Sequence, residues 1–250
     1  MSLHCTGIMR ATMGDERRLY TPDFYRQLAG TRESAQEVLP VVFQFVRPNS
    51  IADIGCGTGE WLAEAMRMGV DDVLGVDGAW VLDSKLTIPR DKFLAHDIRK
   101  PFSFGRKFDL VISLEVAEHL PESQARQFVQ MLSDIADVIL FSAAIPGQGG
   151  RHHVNEQWPG YWAEIFSLFG FSCYDVVRPR VWENPKVVWY YAQNVLLFAR
   201  VGMLATAVRP GSPLSLVHPA AWRAQMEWSN SPSKLLERLP KAVVRRLLAK

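Results

Sequence analysis

The chain lacks the features that mark secreted, membrane-spanning or nucleic-acid-binding proteins. Its 250 residues include only three cysteines, an odd number without metal-ligand spacing, so no disulfide framework is expected. A formal net charge of +2 lacks the basic excess usual in nucleic-acid binders, and no nucleic-acid partner is expected. No stretch reaches the ~20 apolar residues of a membrane span, and charges from Arg10 to Arg17 interrupt any signal-peptide run. Together these absences predict a cytoplasmic protein.

The most informative segment is the ten residues from Ile51 to Glu60, IADIGCGTGE. It predicts a short buried strand that runs into a glycine-rich turn and then a helix. Gly55, Gly57 and Gly59 would let a ligand approach the backbone and would permit the positive φ of a sharp turn. Asp53 at the strand end suits a ligand with an ammonium group and would repel a pyrophosphate. The G-x-G-x-G spacing also differs from the dinucleotide fingerprint.

Three more predicted strands end near acidic residues. Val73–Val76 is closed by Asp77, Lys92–Ile98 contains Asp97, and Phe108–Glu115 runs into the sequence VAEHL. An apolar run of this last kind indicates a strand buried on both faces. A helix over Pro121–Ala136 and a strand over Val138–Ser142 follow. These segments alternate as strand and helix, which is the pattern of a doubly wound α/β sheet.

These motifs, in this order, resemble those of the class I S-adenosylmethionine-dependent methyltransferases. The resemblance implies a Rossmann-like, seven-stranded, mostly parallel sheet with helices on both faces and an antiparallel C-terminal edge hairpin, here Phe171–Val177 and Tyr190–Phe198. It implies S-adenosylmethionine as cofactor, with Asp53 near its methionine end, Asp77 on the ribose hydroxyls and Asp97 on the adenine amino group. Further cofactor contacts are implied for Gly55, Gly57, Gly59, Gly78, Ile98 and Leu114.

The same resemblance divides the chain into three parts. Residues 1–48 would form a helical lid segment, in which Tyr20 and Tyr25 line the substrate pocket or serve as packing residues. Residues 49–200 would be the methyltransferase core. Residues 201–250 would be a C-terminal extension whose basic amphipathic helices, from Ser233, contact an anionic membrane surface, a partner subunit or their own domain. The oligomeric state does not follow from the sequence.

Methyl transfer requires a nucleophile in line with the activated methyl group and, for a hydroxyl acceptor, removal of a proton. The Glu115-x-x-Glu118-His119 motif resembles the ubiquinone-pathway O-methyltransferases and the small-RNA terminal 2′-O-methyltransferases, in which these side chains bind a divalent metal. His153 stands where the latter family has a further histidine, and His152 is the second candidate for that position. This resemblance implies a site for Mg²⁺, Mn²⁺ or Fe²⁺ on Glu115, Glu118, His119 and His153. The predicted catalytic residues are therefore His153, His119 and Glu115, unless His119 only caps its turn.

The loop from Ala144 to Trp158 resembles a bacterial group of methyltransferases associated with surface polysaccharides. This implies O-methylation of a sugar or other small hydroxyl acceptor. N-methylation of a small amine and a non-catalytic cofactor-binding scaffold remain alternatives. A polar and aromatic acceptor wall could come from residues after the fifth strand, of which the tryptophans at helical spacing would equally suit the core: Asn155, Gln157, Trp158, Tyr161 and Trp162.

Overall fold

The computed structural model describes Thr21, residues 30–205 and 208–229, and Val243. Within these residues, seven strands form one sheet in the order β3-β2-β1-β4-β5-β7-β6. The strands are β1 (Ser50–Ile54), β2 (Asp72–Asp77), β3 (Phe93–Ala95), β4 (Leu110–Leu114), β5 (Val138–Ser142), β6 (Ser172–Tyr174) and β7 (Leu196–Ala199). The helices are α1 (Thr31–Val42), α2 (Glu60–Arg67), α3 (Glu122–Ile135), α4 (Pro159–Ser167), α5 (Arg178–Val181), α6 (Trp189–Asn194) and α7 (Pro219–Ser229), with 3-10 turns at Ala79–Asp83, Arg90–Lys92 and Ala117–His119.

The strand directions confirm the predicted sheet. Strands β1 to β5 pair in parallel, whereas β7 pairs antiparallel with both β5 and β6. The strand order reverses at β1 and β4, whose registers place Asp53 beside Ile112. In doubly wound sheets a ligand crevice opens at such a reversal, outside the carboxyl ends of the strands. The architecture therefore places the glycine-rich turn and the exit of β4 at one edge.

The central strands are apolar because helices cover both faces of the sheet. Every residue of β4 and of β5 is buried, as expected for parallel strands between two helical layers. Side chains of α1, α2 and α6 join the core on one face, with Leu39, Leu62 and Tyr191 as examples. Side chains of α3 and α4 form the core on the other face, with Leu132 and Phe166 as examples. The site edge is thus held by a three-layer core.

The predicted last strand, Tyr190–Phe198, is wrong in its first half. Trp189–Asn194 is helical, and the strand covers only Leu196–Ala199. The aromatic residues favour a strand by local propensity, but Tyr191 packs its ring on Trp61 at 5.2 Å between centroids. Such tertiary contacts override β-propensity. β6 is likewise limited to Ser172–Tyr174.

Two further boundaries differ from the predictions. The third strand is Phe93–Ala95 instead of Lys92–Ile98, because a 3-10 turn precedes it and the chain turns away before Asp97. Helix α7 begins at Pro219, whereas the helices predicted for the C-terminal extension begin at Ser233. A proline fits the first helical turn, where its missing N–H leaves no bond unmade.

Some predictions concern residues outside the described part of the chain. These are the pocket roles of Tyr20 and Tyr25 and most of the basic amphipathic segment from Ser233. Among the described residues, none of the helices combines the length and apolar character needed to cross a membrane.

Candidate active site

The glycine-rich turn adopts a conformation that side chains would not allow. Gly55, Gly57 and Gly59 have φ of 85°, 53° and 94°. A Cβ atom on Gly55 would lie 2.4 Å from Val116, and one on Gly59 would lie 2.9 Å from Ile88. Both the positive φ and the close neighbours therefore require glycine. Helix α2 begins directly after this turn, so its N-terminus faces the same edge of the sheet.

Two aspartates lie close to this turn, Asp53 in β1 and Asp77 at the end of β2. The Asp77 carboxylate accepts hydrogen bonds from the backbone N–H of Gly57 at 2.8 Å and of Gly78 at 2.6 Å. Asp53 is 2% exposed, and its Oδ2 has no hydrogen-bond partner among the described residues. Burial, and then the charge of Asp77, raise the pKa of the Asp53 carboxyl well above its usual range. A cationic group beside Asp53 would remove this cost, since a buried unpaired charge is strongly disfavoured.

The other predicted cofactor residues surround the same space in part. Ile98 and Leu114 line the cavity, and so does Asp97. The Asp97 carboxylate pairs with Arg99 at 2.8 Å, and the hydrogen bond from Arg99 lowers the pKa of Asp97. Gly78 lies under the ring of Trp80, where a Cβ atom would be 2.1 Å from the indole. Neither the ion pair nor the indole contact is visible in the local sequence pattern.

One cavity of about 890 Å³ is lined both by predicted cofactor residues and by predicted metal ligands. Asp53 and Asp77 line it on the cofactor side, and Glu118, His119 and His153 line it beyond β4. Its aromatic wall comes from α2, from the turn after β2 and from α6: Trp61, Trp80, Trp189, Tyr190 and Tyr191. The predicted wall residues Asn155, Gln157, Trp158, Tyr161 and Trp162 do not line this cavity, which corrects that prediction.

Trp162 shows why the predicted wall fails. It is 2% exposed, and its ring centroid lies 5.2 Å from that of Phe141 in the core under α4. Trp162 is therefore a core residue, which is the alternative that the sequence left open. Trp158 is 39% exposed.

A carboxylate and two imidazoles meet at the β4 side of the cavity. Glu118, His119 and His153 each offer a ligand atom, and these atoms lie within 4.8 Å of one another. The rings of His119 and His153 are 5.0 Å apart between centroids. His153 Nδ1 lies 3.0 Å from Glu156 Oε1, which orients that ring. The chain therefore brings together three of the four predicted metal ligands.

Comparison with known proteins identifies the family. A family model described as a methyltransferase domain matches residues 25–164, more than half of the chain. The chain belongs to the class I S-adenosylmethionine-dependent methyltransferases. No curated protein matches this chain.

Solved structures support the fold. The methyltransferase is similar to the plantazolicin methyltransferase BpumL, solved with a pentazolic desmethylPZN analogue and S-adenosylhomocysteine, at 15% identity, over 75% of this chain and 92% of that chain, with a TM-score of 0.51. It is also similar to the methyltransferase domain of bacterial CtHen1-C, at 16% identity, over 67% of this chain and 97% of that chain, with a TM-score of 0.51. At these identities the likeness concerns the fold. Family membership makes S-adenosylmethionine the methyl donor of this enzyme.

In the methyltransferase, Glu118 is a second buried carboxylate of the cavity besides Asp53. It is fully buried, and neither carboxylate oxygen has a hydrogen-bond partner of normal geometry among the described residues. Burial, and then the charge of Glu115, raise the pKa of the Glu118 carboxyl well above its usual range, although nearby backbone amides of Glu118 and Ala144 oppose this. Burial also lowers the pKa of His119 to about 4, with a further contribution from His153. A neutral imidazole beside a carboxylate is the state in which both can bind a cation.

Glu115 does not belong to the group of three, which corrects its predicted place among the metal ligands. Its oxygens accept hydrogen bonds from Asn194 Nδ2 at 3.0 Å and from Gln148 Nε2 at 2.9 Å. Its backbone has φ of 55°, a left-handed conformation uncommon outside glycine. Backbone strain of this kind clusters at the functional sites of proteins. Sequence reasoning missed both amide donors, which lie 33 and 79 residues away along the chain.

Gly150 is a second position that sequence reasoning missed. Its φ is 156°, and a Cβ atom there would lie 2.2 Å from Nε2 of His153. The loop backbone can therefore pass directly over the imidazole only because this residue is glycine. The available signal was the Gly149-Gly150 pair just before Arg151.

Proposed function

We propose that this methyltransferase O-methylates a small hydroxyl-bearing acceptor, such as a sugar, with assistance from a divalent metal ion. The observation that carries the proposal is Glu118, a buried carboxylate whose oxygens have no hydrogen-bond partner of normal geometry among the described residues and which lies beside two imidazoles in the cavity. Carboxylate and imidazole together form a mixed oxygen and nitrogen donor set, which suits Mg²⁺, Mn²⁺ or Fe²⁺. The residues present fit such an ion, and Glu118, His119 and His153 would hold it.

The cofactor roles follow from the aspartates. Asp53 would pair with the ammonium group of S-adenosylmethionine, which its unpartnered Oδ2 favours. Asp77, already fixed by two backbone amides, would accept hydrogen bonds from the ribose hydroxyls. Asp97 would accept from the adenine amino group while it keeps its pair with Arg99. Gly55, Gly57 and Gly59 would let the methionine end of the cofactor lie against the backbone.

The acceptor would lie between the aromatic wall and the β4 exit. Tyr190 is half-buried in this wall, and burial, then the charge of Glu115, raise its pKa to about 12. It therefore stays protonated and can donate a hydrogen bond to an acceptor oxygen. Trp189, which is half-buried and lines the cavity, would supply a flat surface for a sugar ring.

Proton removal completes the reaction. The acceptor oxygen forms a bond to the methyl carbon, the bond from that carbon to sulfur breaks, and the hydroxyl proton must leave. A bound divalent ion would supply a lower pKa for the hydroxyl. Without an ion, His153 would take the proton. Its Nδ1 lies 3.0 Å from Glu156 Oε1, so the Glu156 carboxylate would orient the imidazole, as the partner of a general base does in other active sites.

The test is methyl transfer from S-adenosylmethionine to a panel of nucleotide sugars and small amines, measured as S-adenosylhomocysteine release with and without EDTA. We expect turnover with a hydroxyl acceptor, loss of turnover in EDTA, and recovery with added Mn²⁺ or Mg²⁺. Glu118→Gln should abolish turnover, and added Mn²⁺ or Mg²⁺ should not restore it. His96→Ala, at a residue that does not line the cavity, should leave both the turnover and its metal dependence unchanged.

Other results would contradict parts of the proposal. Full activity in EDTA would reject the metal and leave His153 as the base. His153→Ala would then lower the rate by about 10²–10⁴-fold with cofactor affinity retained. Turnover only with amines would replace O-methylation by N-methylation. S-adenosylhomocysteine binding without turnover on any acceptor would favour the scaffold alternative.

A further inference from the structure

Three side-chain amides, two of them buried, form a network beside Glu115. Besides its bond to Glu115, Asn194 Nδ2 donates to Gln148 Oε1 at 2.9 Å. Gln193 Nε2 donates to Gln148 Oε1 at 3.1 Å and to Asn194 Oδ1 at 3.0 Å. Gln193 is 0% exposed and Asn194 is 3% exposed. Buried amides with this many partners define one side-chain geometry, because any other would leave polar groups unpaired.

This network joins three parts of the chain that are distant in sequence. Glu115 follows β4, Gln148 lies in the loop after β5 that also carries His153, and Gln193 and Asn194 end helix α6. The loop is fixed at a second point, because the Glu156 carboxylate accepts the backbone N–H of Gly147 at 2.7 Å and of Gly149 at 2.8 Å. The carboxylate of Glu115 is thus held relative to the imidazole-bearing loop.

Arg178 and the segment before α7 form further hydrogen bonds around Gln193. Gln193 Oε1 accepts the backbone N–H of His218 at 2.8 Å. The buried guanidinium of Arg178 donates to the backbone oxygen of Gln193 at 3.2 Å and to that of Leu214 at 3.1 Å. Residues predicted to lie outside the methyltransferase core therefore reach the site through Gln193.

We propose that Asn194 and Gln148 are positioning residues, which hold the Glu115 carboxylate at the point where the methyl group leaves the cofactor. The inference rests on the proposed function, because it assigns Glu115 to the methyl-transfer point of that site. Glu115 has the location for this role: it follows β4, which pairs with the strand that carries Asp53, and it lines the same cavity as Asp53 and His153. The two amides direct their N–H groups at its oxygens, so the carboxylate stays in one orientation.

The test uses sinefungin, a cofactor analogue with an amino group where S-adenosylmethionine carries its methyl sulfonium. Calorimetry would give the Kd of sinefungin and of S-adenosylhomocysteine for the wild-type chain and for variants. We expect the wild-type chain to bind sinefungin about tenfold more tightly, since a positioned carboxylate would bind the added ammonium. Glu115→Gln, Asn194→Ala and Gln148→Ala should each reduce this preference to about twofold or less, with the Kd of S-adenosylhomocysteine unchanged.

Two features make the experiment specific. Asn184→Ala is the matched control, because Asn184 Nδ2 also donates to a glutamate, Glu37, at 2.9 Å but lies outside the cavity. It should keep the wild-type preference. Gln148 is half-exposed on its loop, so Gln148→Ala gives a readout even where Asn194→Ala fails to fold.

The outcomes separate the two proposals. A preference lost in Glu115→Gln but kept in Asn194→Ala and Gln148→Ala would overturn the positioning role and leave the proposed function standing. A preference kept in Glu115→Gln would remove Glu115 from the methyl-transfer point and overturn the inference as well. A wild-type chain that binds neither ligand would overturn the proposed cofactor site itself.

Discussion

His119 should make the free energy of unfolding depend on pH in a predictable direction. Its ordinary pKa is 6.5, and in the folded chain burial lowers this to about 4. As the pH falls through 6.5, His119 binds a proton in the unfolded chain, whereas in the folded chain it binds one only near pH 4. Protons therefore favour unfolding in this window. The full difference between the two pKa values corresponds to about 3 kcal/mol in the free energy of unfolding, and about 2 kcal/mol of this is lost between pH 7 and pH 5.

The perturbation is His119→Asn, and the assay is urea unfolding at pH 7 and pH 5 in EDTA. The buried carboxyls of Asp53 and Glu118 have raised pKa values and contribute with the opposite sign. The informative quantity is therefore the difference between wild type and variant. We expect the variant to lose about 2 kcal/mol less than the wild type between the two pH values, with unchanged m-values. Parallel pH dependence in the two proteins would refute the burial of a neutral His119.

Three further predictions concern the cofactor turn and the chain end. Asp77→Ala should weaken S-adenosylhomocysteine binding by roughly 1.5–3 kcal/mol in calorimetry, and an unchanged Kd would remove Asp77 from the site. Gly55→Ala should lower the free energy of unfolding by about 2–5 kcal/mol, because it combines a positive φ with a clash on Val116. Gly69→Ala, at φ 96° with open space around it, should cost less in the same denaturation assay. If the segment from Ser233 contacts an anionic membrane surface, the full chain will pellet with anionic liposomes at low salt more than a truncation at Asn230 does; equal pelleting would end the membrane hypothesis and leave a partner subunit or its own domain as the contact.

The sequence predicted those parts of the fold that depend on local patterns. Strand β5 covers the predicted Val138–Ser142, and helix α3 differs from its predicted bounds by one residue at each end. Both are apolar runs with clear boundaries. Helix α6 was missed because its aromatic residues have high β-propensity, while its conformation depends on contacts with α2. The polar pair Gln193-Asn194 in that run was the available warning against a strand buried on both faces.

The candidate site divides in the same way. Asp53 and Asp77 lie in the carboxyl ends of β1 and β2, and Glu118 follows β4. Parallel strands bring their carboxyl ends to one edge, so a sequence pattern suffices to group these residues. The amides of Gln148 and Asn194 come to Glu115 only through the packing of a loop and a helix. Such contacts leave no spacing signal in a single sequence. The same holds for the aromatic wall from α6.

Helix α6 also limits how the acceptor range of this enzyme can change. Within six residues it supplies the wall aromatics Trp189 and Tyr190 and, one turn later, the amide of Asn194 that bonds Glu115. Substitutions that reshape the pocket from this helix would therefore also displace the carboxylate, and selectivity and rate would decline together. Arg32 and Glu33 border the cavity from α1 without a bond to that carboxylate. Evolution or engineering toward new acceptors has its more independent starting point there.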